Sequence, residues 1–177
     1  MKLCLVACAL ALAACSKQPP PRKLAGDGCV KSVTVSIGSS LTPDERMSAM
    51  NAMHRWTWAT SGAACFCISE SGGKTVEFVD KPSDLQRFGD HDWEHHVGLH
   101  TPSHIVIVRS EAGGAYTREA VLVHEFGHAL GLHHVFGGCM SSTILKGSGK
   151  ETAVAPPDCS PPGVGATDVA EFFRVNK

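Results

Sequence analysis

A chain of 177 residues, 43% hydrophobic and 19% charged, can build one ordinary domain core and is short for two. Its 16 Lys and Arg against 17 Asp and Glu leave a formal charge of −1 with no block of one sign, which argues against nucleic-acid binding and against a polybasic membrane surface. Ten His residues are many for such a chain, and they direct the search toward metal ligands.

The opening stretch MKLCLVACALALAAC has a Lys beside the start, an apolar run and small residues at its end. That is the layout of a secretory signal and too short for a membrane-spanning helix. Leu12-Ala13-Ala14-Cys15 resembles the lipobox of bacterial lipoproteins, which implies cleavage before Cys15 and lipid on its sulfur and new amino group. By the same resemblance, Ser16 fits sorting to the outer membrane, with the protein facing the periplasm or the cell surface. Residues 1–14 are therefore expected to be a signal peptide, 15–28 a polar, Pro-rich tether, and 29–177 one domain. Export implies an oxidising compartment. Five Cys follow Cys15, an odd number: Cys29, Cys65, Cys67, Cys139 and Cys159. Two disulfides and one free thiol is the simplest arithmetic, and the sequence alone leaves the pairing open.

Val30 to Ile37 alternates apolar with polar residues, the period of a half-buried strand. Thr42-Pro43-Asp44-Glu45 then opens a helix, with Thr42 as cap and Glu45 closing a capping box. Met47, Met50, Met53, Trp56 and Trp58 are expected to pack that helix into the core. Ala64 to Ile68 and Thr75 to Val79 read as short strands around the turn Ser71-Gly72-Gly73. A polar segment runs from Asp80 to His96. His104 to Arg109 is the strongest strand, with Val97 to His100 as hairpin partner across Thr101-Pro102. Thr117 is expected to cap a long helix to about Leu130, stopped by Gly131. Gly, Pro and Ser make 137–165 a loop, and Thr167 is expected to cap a closing helix, DVAEFFRV. The order of elements implies an α+β (α/β) fold, a mixed sheet layered with helices.

The chemistry lies in HEFGHALGLHH, starting at His124. On a helix, His124 and His128 share one side, about 6 Å apart along the axis. Glu125 falls about 100° around from His124, beside the ion rather than on it. Leu122, Phe126 and Ala129 face the other way, into the core. Gly131 permits a left-handed turn that swings His134 back toward the same ion. His133 is the competing neighbour, and the distance from Gly131 favours His134. Three His ligands leave a fourth position for water, the arrangement of a catalytic zinc. A zinc-bound water, deprotonated by Glu125, would attack a carbonyl, and Glu125 would return the proton to the leaving amine.

HEFGHALGLHH resembles the metzincin signature H-E-x-x-H-x-x-G-x-x-H at every fixed position, and its variable residues are similar to the matrixin branch. The resemblance implies a zincin catalytic domain: a twisted, mostly parallel sheet with an antiparallel edge strand, an active-site helix, a Met-turn and a C-terminal helix. It implies a monomeric zinc metalloendopeptidase acting on proteins or peptides, with Met140 in the Met-turn beneath the zinc. It also places Cys29 beside Cys65 or Cys67, and has Cys139 and Cys159 bracket the loop after the Met-turn. There are departures. No Tyr follows Met140, the only Tyr being Tyr116, and neither a pro-domain nor a cysteine-switch motif is present. His91, His95, His96, His100 and His104 cluster with Asp90, Asp92 and Glu94 where matrixins carry structural zinc and calcium. The spacing does not match that ligand set, so no second metal is assigned and an exposed polar loop, or a rim for extended peptides, is expected. Two alternatives stand beside the endopeptidase: a peptidase of peptidoglycan cross-links, and a zinc-binding lipoprotein without catalysis.

Overall fold

The computed structural model describes residues 28–112, 114–135, 138–141, 159 and 163–177. The expected signal peptide, Cys15 and all of the tether but Gly28 lie outside the described residues.

Five strands form one sheet: β1 (Lys31–Ile37), β2 (Ala64–Ser69), β3 (Lys74–Val79), β4 (Gly98–His100) and β5 (His104–Val108). Their order is β2-β1-β3-β5-β4. All neighbours run parallel except β4, which pairs antiparallel with β5 at the edge, Leu99 opposite Val106. The Ser71-Gly72-Gly73 turn does not make a hairpin of β2 and β3, because β1 lies between them. β5 is buried throughout from Ile105 to Val108, as expected of a strand covered on both faces.

The helices are α1 (Pro43–Ala59), α2 (Gly114–Ala129) and α3 (Ala166–Val175). α1 starts as its sequence dictates: Thr42 Oγ1 accepts from Glu45 N at 3.2 Å, and Glu45 Oε2 accepts from Thr42 N at 2.8 Å. Its core face differs from the expected one. Ala49, Ala52, Met53 and Trp56 are buried, whereas Met47, Met50 and Trp58 are 61%, 45% and 67% exposed. The helical period explains this, since 49, 52, 53 and 56 form one stripe and the two alanines let α1 sit close to its neighbours. Trp56 reaches across to α2, its Nε1 donating to Val123 O at 2.8 Å.

Two other helix starts also differ. α2 begins at Gly114, three residues before Thr117. α3 begins after Gly165, whose N–H donates to Asp168 Oδ2 at 2.9 Å, so Asp168 and not Thr167 closes that end. The polar segment 80–96 is more than loop. It folds into two 3₁₀ turns (Pro82–Phe88 and Trp93–His95) and covers the second face of the sheet, where Leu85, Phe88 and Trp93 pack with Val79, Val106 and Val108. The larger core lies between the first face and α1, α2 and α3. Cys29 is bonded to Cys65 (Cα–Cα 5.9 Å), joining the starts of β1 and β2, and Cys139 to Cys159 (4.7 Å). Among the described residues, Cys67 is the free thiol.

Glu45 has a second role. Its Oε1 accepts from Arg109 Nε at 2.7 Å, and Arg109 Nη1 also reaches Asp80 Oδ1 at 2.8 Å. Burial pushes the Glu45 carboxyl up, but Arg109 and Thr42 outweigh it and hold the group below its ordinary value. Glu45→Ala would remove both the cap and the partner of Arg109. A loss of about 2 kcal/mol in urea unfolding is expected.

Candidate metal centre

α2 carries His124 and His128 on one side. Gly131, at φ 93°, then reverses the chain, with Gly131 N bonded to His128 O and Leu132 N to Gly127 O. Leu132 is buried at 2% exposure and anchors the reversal, which brings His134 back over the helix end. The three Nε2 atoms lie 3.1 Å (His124–His128), 3.2 Å (His124–His134) and 3.2 Å (His128–His134) apart. Three ligands of a tetrahedral zinc with Zn–N near 2.0–2.1 Å would be about 3.3 Å apart, close to what is seen.

The other ring nitrogens decide what these atoms are. His124 Nδ1 is 2.7 Å from Cys139 O, and His128 Nδ1 is 2.9 Å from Leu132 O. A carbonyl only accepts, so both Nδ1 atoms carry hydrogen and both Nε2 atoms present lone pairs in the neutral ring. Two lone pairs at 3.1 Å repel unless a cation lies between them. Burial, the neighbouring rings adding to it, depresses all three imidazoles. His124 is pushed down to about 3, by burial first and then by His128. The rings therefore stay neutral, as metal ligands must be. His124 is buried, His128 half-buried and His134 exposed, so the trio opens to water on one side. His133 is exposed and is not part of the converging trio.

Glu125 is 5% exposed. Burial pushes its carboxyl up to about 8. It lies against the edge strand at Gly98, where a Cβ would stand 2.8 Å from Glu125 Oε1 and 2.7 Å from Val121 Cγ1. Only glycine leaves space there for the carboxylate. His100, two residues along β4, stacks on His128 with ring centroids 6.1 Å apart. Among the described residues its Nε2 is buried without a partner, and burial, followed by the charges of Lys74 and His128, pushes the ring down to about 4. The rest of that His cluster disperses. His96 Nδ1 meets Asp90 Oδ2 at 2.7 Å, His104 Nε2 faces Glu77 Oε1 at 3.4 Å, and His91 is exposed. The side chain of His95 lies outside the described residues. Among the described residues, the group of three or more ligand side chains that converges is His124, His128 and His134.

Met140 is fully buried beneath α2, its thioether against Gly127. The turn that carries it is held by a residue the sequence pattern did not single out. Asp168, at 0% exposure, accepts from Cys139 N (2.9 Å), Met140 N (3.0 Å) and Gly165 N (2.9 Å). Cys139 in turn offers its carbonyl to His124. The only sequence signal for Asp168 was an acid in the first turn of a helix, which reads as a cap.

Gly127 fills a variable position of the signature, yet has no room for a side chain. A Cβ would collide with Met140 Sδ and stand 2.9 Å from Trp56 Cζ2. Gly127→Ala is expected to lose about 2–3 kcal/mol through overpacking, more than the roughly 1 kcal/mol of helix propensity it gains. Adding Met140→Ala should recover part of that loss, giving a non-additive cycle in urea titrations.

No protein-family model matches the chain, and no curated protein is similar to it. The geometry itself establishes a three-histidine group, built on one helix and the turn that follows it, that can hold a metal ion.

Proposed function

We propose that this protein is a zinc-dependent endopeptidase of the matrixin-like metzincin kind, held at a bacterial outer membrane by lipid on Cys15. The observation that carries the reading is the convergence of three imidazole Nε2 atoms, two of them fixed as lone-pair donors, beside a buried carboxylate. His124, His128 and His134 would hold the ion, and nitrogen ligands at this spacing suit zinc. When bound, zinc supplies Lewis-acid polarisation of a carbonyl and lowers the pKa of water near it.

The chain's own residues do the rest. Glu125, set beside the trio and shielded from solvent, accepts a proton from the attacking water and passes it to the leaving amine. Gly98 keeps the edge strand clear of that carboxylate. β4 ends the sheet, and its outer edge is unpaired among the described residues, so an extended peptide can add there as a further strand. Cys139 O and Leu132 O hold the two helix-borne imidazoles in the tautomer and orientation that ligation needs.

A peptide-library cleavage profile of the purified protein, with zinc counted in the same sample, tests the proposal. Cleavage lost with a chelator and restored by one zinc per chain is the expected result. One tight zinc with no cleavage of any peptide would instead indicate metal storage. Cleavage confined to muropeptides would make it a peptidase of cell-wall cross-links.

A further inference from the structure

Met47, Met50 and Trp58 are 61%, 45% and 67% exposed, with exposed His54 between them. At about 100° per residue the four side chains fall within roughly 80° of one another on the outer side of α1. A soluble helix normally presents charge there, and this one presents a stripe of large apolar groups without a carboxylate among them. Asp44 of the same helix belongs to the first turn, at the end far from Trp58, and Glu119 of α2 borders the stripe, where it is paired with Asn51 and Arg55.

The place where the leading segment meets the domain says what covers the stripe. Gly28 lies beside the end of α1, its Cβ direction 3.9 Å from Gly62 O, and Val30 N donates to Ala63 O at 2.8 Å. The Cys29–Cys65 bond fixes that junction, and Val30, 48% exposed, adds an apolar residue next to it. A generic linker of fourteen residues, the length from Cys15 to Gly28, has a root-mean-square reach of about 20 Å, and more where proline stiffens it. That is comparable with the radius of gyration of about 15 Å expected for 149 residues. An acyl group on Cys15 would thus hold the Trp58 end of α1 near the lipid surface. Tethering on this length scale gives effective concentrations on the order of millimolar, so even a weak apolar contact is occupied. Trp and Met suit the interface, Trp because its ring spans the boundary between headgroups and acyl chains.

We propose that the outer face of α1, through Met47, Met50 and Trp58, docks on the lipid bilayer that the Cys15 anchor reaches, an inference that rests on the lipoprotein reading above. Docking this way turns the metal centre outward. α1 meets α2 through Glu119, Val123 and Gly127, whereas His124 and His128 leave α2 on another side, about 100° further round.

The test uses the full, lipid-modified chain in vesicles of phosphatidylethanolamine and phosphatidylglycerol with brominated acyl chains. Trp58 is expected to be quenched, since Trp56 is buried and Trp93 half-buried. Trp58→Phe should remove most of the quenching. Met47→Ser with Met50→Ser should reduce it by about twofold or more with peptide cleavage unchanged. Quenching equal in Trp58→Phe and the parent, or no quenching in a membrane-borne parent, would overturn the docking and leave the anchor standing. Failure of Cys15 to take up labelled palmitate would overturn the anchor reading, and the docking with it. Acrylamide quenching of the Cys15→Ser protein in solution separates the other occupants. Protection of Trp58 that rises with protein concentration would assign the face to a second copy. Protection at every concentration would assign it to the chain's own 142–158 segment. Either result would overturn the proposal.

Discussion

Glu125→Ala is expected to lower peptide hydrolysis by about 10³-fold while the protein still binds one zinc. The separation follows from position. Glu125 lies next to His124 in sequence but outside the converging trio, so its removal takes away the proton acceptor and spares the ligands. An unchanged rate in this variant would remove the proposed mechanism, and loss of zinc would show that Glu125 supports the site itself. A calorimetric signature goes with it. Burial pushes the metal-free carboxyl up to about 8, so at pH 7 it carries a proton, while the depressed imidazoles carry none. A divalent charge nearby favours the carboxylate. Zinc binding to the parent should therefore release more protons at pH 7 than binding to Glu125→Ala, by close to one, and that difference should fall as the pH rises past 8. Titrations in two buffers of different ionisation heat read that difference.

Asp168→Ala should be the most damaging single change outside the ligands. It would leave three backbone N–H groups, of Cys139, Met140 and Gly165, without their acceptor, the first two fully buried and the third partly so. A loss of about 3–5 kcal/mol is expected, since hydrogen bonds to a charged group contribute roughly 1.5–3 kcal/mol each and do not add fully. Zinc affinity should also fall by about 10–100-fold, because the turn that loses Asp168 carries the carbonyl that orients His124. Asp168→Asn tests the same contacts more gently. Both carboxylate oxygens accept, so an amide would set its NH₂ against at least one backbone N–H. Thermal unfolding and competition with a chelator measure the two effects. An Asp168→Ala protein of parental stability and zinc affinity would mean that the turn is held by other contacts.

Much of the scaffold was readable because its signals are local. The capping box at Thr42–Glu45, the alternation from Lys31 to Ile37 and the apolar run Ile105–Val108 each depend on near neighbours in the chain. So does the trio, since helix spacing places His124 and His128 and one glycine turn places His134. What escaped was set by contacts between distant segments. Met53 and Trp56 are buried as expected, but the exposure of Met47, Met50 and Trp58 depends on which side of α1 meets α2, and composition is silent on that. Asp168, the neighbour of the expected cap Thr167, was given no role, yet it is the clamp of a turn 28 residues away. His100 was expected in the hairpin partner of β5 and in a polar His cluster, but not beside His128, where the pairing of β4 with β5 carries it. Gly98 and Gly127 show their purpose only against the side chains that fill the space beside them.

The three histidines lie within a sequence separation of only ten, from His124 to His134. Closing so short a segment costs little chain entropy, because loop closure grows only as the logarithm of length. Capture of an ion by this group would therefore be a low-contact-order event, able to occur while much of the chain is still finding its place. The carbonyl of Cys139 and the carboxylate of Asp168 come from far along the sequence and complete the setting later. An ion taken up early would be held loosely at first and gripped more tightly as the sheet and the last helix close around it.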